Sequence, residues 1–161
     1  MTIYTVESAV TIAAPIEAVF DFHLDVANLN KISPPGMSAR LVKDEGLGTA
    51  RTMYLEITQF GLFKSHWIVK IDEFDPPFKL TDLVVKGPFP YFRHSRTFSQ
   101  PCAALTELRD KLEYALPFGA IGRLANKISV QRMINDMFEH RHRITKELLE
   151  ERFYIKEIPV S

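Results

Sequence analysis

The sequence predicts an α+β fold: a curved seven-stranded antiparallel sheet around one long C-terminal helix, with two short helices after the first strand. Three observations carry this expectation. Residues 37–116 fall into extended runs separated by Gly- and Pro-containing turns, the mark of an antiparallel meander. From Pro117 to Arg152 apolar residues recur three or four apart with charges between them, as on an amphipathic helix. A helix with one broad apolar face needs a broad partner, and the preceding strands supply it. The sheet then curls and the helix lies across its concave face, the helix-grip arrangement. A sheet curved around one helix need not close completely, so a cavity can remain between them.

The elements follow in order. Ile3 to Ala13 alternates, with Val6, Ser8, Val10 and Ile12 on one side, which predicts the first strand. Ala14-Pro15 opens a short helix, Pro being tolerated in a first turn, and Val19, Phe20 and Phe22 give it an apolar side. A second short helix covers Asp25 to Ile32, with Asp25 as cap, and Ser33-Pro34-Pro35-Gly36 ends it. Six strands follow: Met37–Lys43, Thr49–Phe60, Leu62–Phe74, Phe78–Lys86, Tyr91–Ser99 and Ala103–Leu116. The final helix begins near Gly119 and spans roughly 45 Å if unbroken. Its apolar line, Ile121, Leu124, Ala125, Ile128, Ile134, Met137, Phe138, Ile144 and Leu148, falters at Gln131, Arg132 and Asn135. A kink or second start is expected there, next to Ser129.

Composition narrows the functional classes. The 161 residues fit one domain, 1–161, and 46% apolar with 25% charged residues is ordinary for a soluble globular chain. Lys plus Arg (20) balances Asp plus Glu (20), with no like-charge block, which argues against nucleic acid as a partner. Cys102 is the sole cysteine, so no internal disulfide forms and a cytoplasmic location is expected. The N-terminus alternates instead of carrying a signal-like segment, and no run is long enough for an integral membrane span. No Gly-x-Gly-x-x-Gly or P-loop occurs, and no cofactor is expected.

Strand parity sorts inward from outward residues. Arg51, Met53, Leu55 and Ile57 share one face; Phe63, Ser65, Trp67, Val69 and Ile71 share another. In the last three strands the even numbers point inward: Leu80, Asp82, Val84; Phe92, His94, Arg96, Phe98; Thr106, Leu108, Asp110, Leu112, Tyr114. Asp82, His94, Arg96, Asp110 and Tyr114 are an unexpected polar content for an inward face. Hairpin registers put His94 beside Asp82 and near Asp110, with Arg96 one step away. Buried charge is costly unless paired. The cluster is therefore a self-satisfied network, or it orients a polar end of a ligand, or His94 with Asp82 and Asp110 performs acid/base chemistry, an adjacent carboxylate raising the His pKa. Phe63, Trp67, Phe92, Phe98, Phe118 and Phe138 either line an apolar pocket or fill the core. Trp67 stands out because a buried indole N–H needs an acceptor.

Other candidates fall away. His140 and His142 lie two apart on a helix, face different ways and read as a solvated face, as do Arg123, Lys127, Arg132, Arg141, Arg143 and Lys146. His23 lacks a paired metal-ligand spacing, so no metal site is expected. Cys102, Ser33 and Ser65 lack any nucleophile context.

Several segments together carry a family resemblance: Val19-Phe20-Asp21-Phe22-His23, Asn28-Leu29, Ile32-Ser33-Pro34-Pro35, Asp75-Pro76-Pro77-Phe78, Gly87-Pro88-Phe89, Phe92-Arg93-His94 and Leu116-Pro117-Phe118-Gly119, with Thr106, Asp110, Tyr114, Phe138 and Arg141. In this order they resemble the SRPBCC superfamily, the START and Bet v 1-like proteins, and within it a polyketide cyclase/dehydrase-like bacterial ligand-binding subgroup of poorly defined function. The resemblance covers essentially the whole chain. It implies a helix-grip fold and a hydrophobic small-molecule ligand. The subgroup shows His-x-His after Gly-Pro-Phe, whereas this chain reads His94-Ser95-Arg96, so a role needing two histidines there does not carry over.

Three functions remain. The first is binding, transport or presentation of a lipid-like or aromatic molecule between sheet and helix. Its expected contacts are Trp67, Asp82, Phe92, His94, Arg96, Phe98, Asp110, Tyr114 and Phe138, and its opening lies near Ser33–Gly36 and Gly87–Tyr91. The second is a cyclase or dehydratase acting on a polyketide-like substrate with His94 as acid/base. The third is an accessory protein that docks a partner enzyme or membrane complex.

Overall fold

In the computed structural model, which describes residues 1–157, seven antiparallel strands form one sheet in the order β1-β7-β6-β5-β4-β3-β2. The strands are β1 (Tyr4–Ile12), β2 (Ser38–Glu45), β3 (Thr52–Gln59), β4 (Phe63–Asp75), β5 (Lys79–Lys86), β6 (Tyr91–Cys102) and β7 (Leu105–Ala115). Helices α1 (Ile16–Leu24) and α2 (Ala27–Ile32) follow β1. The C-terminal helical stretch comprises α3 (Gly119–Ala125), a π-helical turn (Asn126–Val130) and α4 (Gln131–Glu157). Among the described residues no helix is long and apolar enough to cross a membrane.

The meander runs from β2 to β7, and the chain's first strand returns to pair with its last: Tyr4 faces Tyr114 and Ile12 faces Thr106. The β3–β4 connection is a short turn. Phe60 (φ 54°) and Gly61 (φ 66°) are both left-handed, and Leu62 N–H donates to the Gln59 carbonyl at 3.1 Å. Two positive φ values make a two-residue primed turn, whose twist matches the flanking strands. Gly61 suits that geometry, but Phe60 holds it at a steric cost. Gly61 N–H also donates to Gly36 O at 2.8 Å, tying this turn to the α2–β2 loop.

Inward residues of the sheet meet α1 and α4. One part of the core joins Ile12, Val19, Phe20, Ile71, Leu80, Phe98 and Leu108 to Leu149 of α4. A second part packs Val6, Leu112 and Tyr114 against Ile134 and Phe138. The even-numbered residues of β5, β6 and β7 face the helix as parity predicts: Leu80, Phe98, Leu108, Leu112 and Tyr114 are all buried.

The helical stretch departs from expectation in two ways. The residues meant to seat its first turns on the sheet are exposed: Ile121 73%, Leu124 59% and Ile128 69%. Gly122 lies against the Pro117 carbonyl so closely that a side chain there would collide with it, which sets the direction in which α3 leaves the sheet. The π turn then re-aims the helix at the place where the apolar line falters, and buried Asn126 accepts a 2.5 Å hydrogen bond from Tyr114 Oη. In α4 the buried face runs Ile134, Phe138, His142, Thr145, Leu149, with Leu148 37% exposed instead of inward. The expected solvated placement of His142 is therefore wrong, because the buried stripe of the helix continues through polar residues.

Candidate functional site

A cavity of about 480 Å³ lies between the sheet and α4, within the range of small-molecule sites. Its walls are largely apolar: Met53, Leu55 and Ile57 from β3, Trp67 and Val69 from β4, and Ile134, Met137 and Phe138 from the helix. Trp67 packs edge-on to Phe92 at 5.3 Å between ring centroids and tilts over Phe89 at 5.7 Å. Its indole N–H, which needs an acceptor once buried, donates to Ser65 Oγ at 2.8 Å. Pro35, Gly36, Phe60 and Met133 belong to the lining yet are exposed, which places the opening between the α2–β2 loop, the β3–β4 turn and the start of α4. Phe89, from the other loop expected at the opening, is instead half-buried against Trp67, Phe92 and Tyr114.

Most of the sequence-predicted residues line this cavity: Trp67, Asp82, Phe92, His94, Arg96, Asp110 and Phe138. Phe98 and Tyr114 do not. Phe98 is consumed by the core, 5.3 Å from the Phe20 ring, and Tyr114 by its bond to Asn126. Phe63 and Phe118, weighed as pocket or core residues, are 64% and 80% exposed. Three residues assigned to solvent, His140, Arg141 and His142, are in the lining, as is His23.

The polar residues converge on Asp110. Sheet pairing sets Asp82 opposite His94 and Arg96 opposite Asp110. Asp110 Oδ1 lies 2.5 Å from His94 Nε2, and Oδ2 lies 2.6 Å from His142 Nε2. Burial pushes the Asp110 carboxyl up, but hydrogen bonds from His142 and His94 and the nearby charge of Arg96 outweigh it, holding the group well below the usual carboxylate range. With the carboxylate ionised, both Nε2 atoms carry hydrogens and donate. The two Nδ1 atoms then accept: His142 from Ser8 Oγ at 3.2 Å, His94 from Arg96 Nη2 at 3.3 Å. Arg96 also binds Asp82 at 2.6 Å.

This arrangement corrects the expected titration of His94. Burial, together with the charge of Arg96, lowers its pKa and outweighs the raising effect of Asp110 and Asp82. His94 is thus neutral near pH 7 with both ring nitrogens engaged. His23 is shifted the same way, down to about 4, by burial and Arg96, while its Nδ1–H donates to Val19 O at 2.7 Å. Among the described residues no group of three His, Cys, Asp or Glu side chains is placed to hold a metal ion.

The arginines of the lining differ in their pairing. Arg51 is held by Asp44 through two bonds of 3.0 and 2.7 Å, and Arg96 by Asp82. Among the described residues, Arg141 Nη2 has only the weak acceptor Met37 Sδ at 3.7 Å, and its shielded Nε has no acceptor.

The family profile described as polyketide cyclase / dehydrase and lipid transport matches residues 12–138. The chain belongs to that family. No curated protein matches it. Among solved structures it is similar to the Zhui aromatase/cyclase from Streptomyces sp. R1128, at 16% identity and a TM-score of 0.76, covering 94% of this chain and 96% of that one. It is also similar to a START superfamily protein from Mycobacterium smegmatis, with 12% identity, a TM-score of 0.69 and 91% and 97% coverage. Ara h 8.0201 aligns at 13% identity and a TM-score of 0.67, over 92% and 98% of the two chains. At these identities the likeness establishes the helix-grip fold and leaves function to the site.

Proposed function

We propose that the protein binds an apolar small molecule, lipid-like or aromatic, in the cavity between the sheet and α4. The observation that carries this reading is the cavity itself: about 480 Å³, walled by Met, Leu, Ile, Trp and Phe side chains, and open beside Phe60 and Met133. Apolar walls supply affinity through burial. Binding without transformation is favoured over cyclase or dehydratase chemistry by the bonding of His94. A general acid or base needs a nitrogen free to meet the substrate and a pKa near the working pH. His94 has its Nε2 on Asp110, its Nδ1 facing Arg96, and a lowered pKa.

Native and denaturing mass spectrometry of freshly purified protein, with organic extraction of what is released, tests this. A discrete small molecule lost on denaturation is the expected result. A clean apo mass together with no uptake of decan-1-ol would contradict it.

A further inference from the structure

The buried face of α4 carries two polar groups whose bonding is incomplete. Arg141 Nε and Thr145 Oγ1 are shielded from solvent and have no hydrogen-bond partner among the described residues. They are four residues apart on one helix, hence neighbours on one face, and both line the cavity. An unpaired buried polar group costs stability, and a charged one costs more. The charged groups that the sheet turns into the cavity are committed: Arg96 to Asp82, Arg51 to Asp44, and Asp110 to His94 and His142. The sheet thus offers Arg141 no free counter-ion.

We propose, resting on the cavity-binding reading above, that the ligand is an amphipathic acid whose carboxylate is received by Arg141 and Thr145 while its apolar body fills the cavity. A carboxylate fits the donor set. It accepts from the planar guanidinium through one or both oxygens, and the Thr145 hydroxyl donates a further bond. One uncommitted cation matches one negative charge, which favours a carboxylate over a phosphate dianion. Burial and the charge of Arg96 pull the Arg141 pKa down only to about 10, so the group stays cationic at neutral pH. The apolar body has Met53, Leu55, Trp67 and Met137 to cover it. Both residues lie on α4, beyond the stretch that the family profile matches, 12–138.

The test compares decanoate with decan-1-ol, which share a ten-carbon chain and differ in the charged end, by titration calorimetry on the full chain. Trp67, the single tryptophan, lies in the cavity wall and gives a fluorescence readout as well. Wild type is expected to prefer decanoate by about tenfold or more, the scale of one charge-assisted hydrogen bond. Arg141→Met should abolish the preference and Thr145→Val should reduce it a few-fold. The ratio of the two affinities is the readout, because a variant that merely disturbs the cavity shifts both together. Equal affinities in wild type would overturn the carboxylate site while leaving cavity binding intact. A preference that survives in Arg141→Met would overturn the role of Arg141. Binding of neither probe would remove the cavity-binding reading, and this proposal with it.

Discussion

Asp110, buried, and Arg141, half-buried with a shielded Nε, are charges on opposite walls of the same cavity, and they are treated in opposite ways. The Asp110 carboxylate receives an N–H from His94 on its own sheet and another from His142 on α4, and Ser8 and Arg96 complete the two imidazoles. The Arg141 guanidinium meets a thioether. The first is a closed network that joins helix to sheet. The second is a charge held ready with its bonding left open. A buried polar cluster in a ligand-binding fold therefore need not be the ligand site; the incompletely bonded member is the better pointer.

The largest effect should come from opening the closed network. Asp110→Ala leaves two imidazole N–H donors and part of the Arg96 charge uncompensated, and is expected to cost roughly 3–5 kcal/mol in urea unfolding. A loss under ~1 kcal/mol would show that the network does not join helix to sheet.

The next effect is on pH dependence. His23, with a pKa near 4 in the fold against 6.5 unfolded, takes up a proton more readily when unfolded. Its contribution is complete above pH 6.5 and is lost as pH falls towards 4; His94 is shifted in the same direction. Asp110, shifted below its ordinary 3.8, adds a loss only under that value. Thermal melts should decline from about pH 6.5 downward, and His23→Phe should flatten that decline. An unchanged slope in this variant would remove His23 from the account.

Smaller, and opposite in sign to Asp110→Ala, are the effects at the open site. Arg141→Met and Thr145→Val delete groups without full partners, so each should leave the ligand-free protein as stable or up to ~1 kcal/mol more stable. A loss above ~2 kcal/mol for either would mean that the group is bonded in the fold. Smallest of all, Ile121→Ser and Ile128→Ser should change stability within ~0.5 kcal/mol, because both side chains already face solvent.

Much of this was legible in the sequence. Turn residues delimited the strands, and parity placed Asp82, His94 and Arg96 on one face because side-chain direction along a strand is fixed by position alone. The C-terminal helix was harder. Its apolar periodicity points to Ile144 and Leu148, whereas the buried stripe passes through Phe138, His142, Thr145 and Leu149. Polar residues on a helix read as solvated unless something across the fold is known to receive them, and Asp110 is 32 residues away from His142 in sequence. A signal did exist: His142 falls four residues after Phe138 and seven before Leu149, in step with the buried face. The α3 segment misled in the opposite sense, since Ile121, Leu124 and Ile128 are in helical phase yet exposed. The π turn at Asn126–Val130 breaks the phase between the two halves.

The cavity is best tested directly by intermolecular nuclear Overhauser effects between isotope-labelled protein and unlabelled decan-1-ol, a neutral probe independent of Arg141. Contacts from the alkyl chain to Met53, Leu55, Trp67, Ile134 and Met137 are the result this account requires. Contacts confined to Ile121, Leu124 and Ile128 on the exposed helix, with none in the cavity, would contradict it.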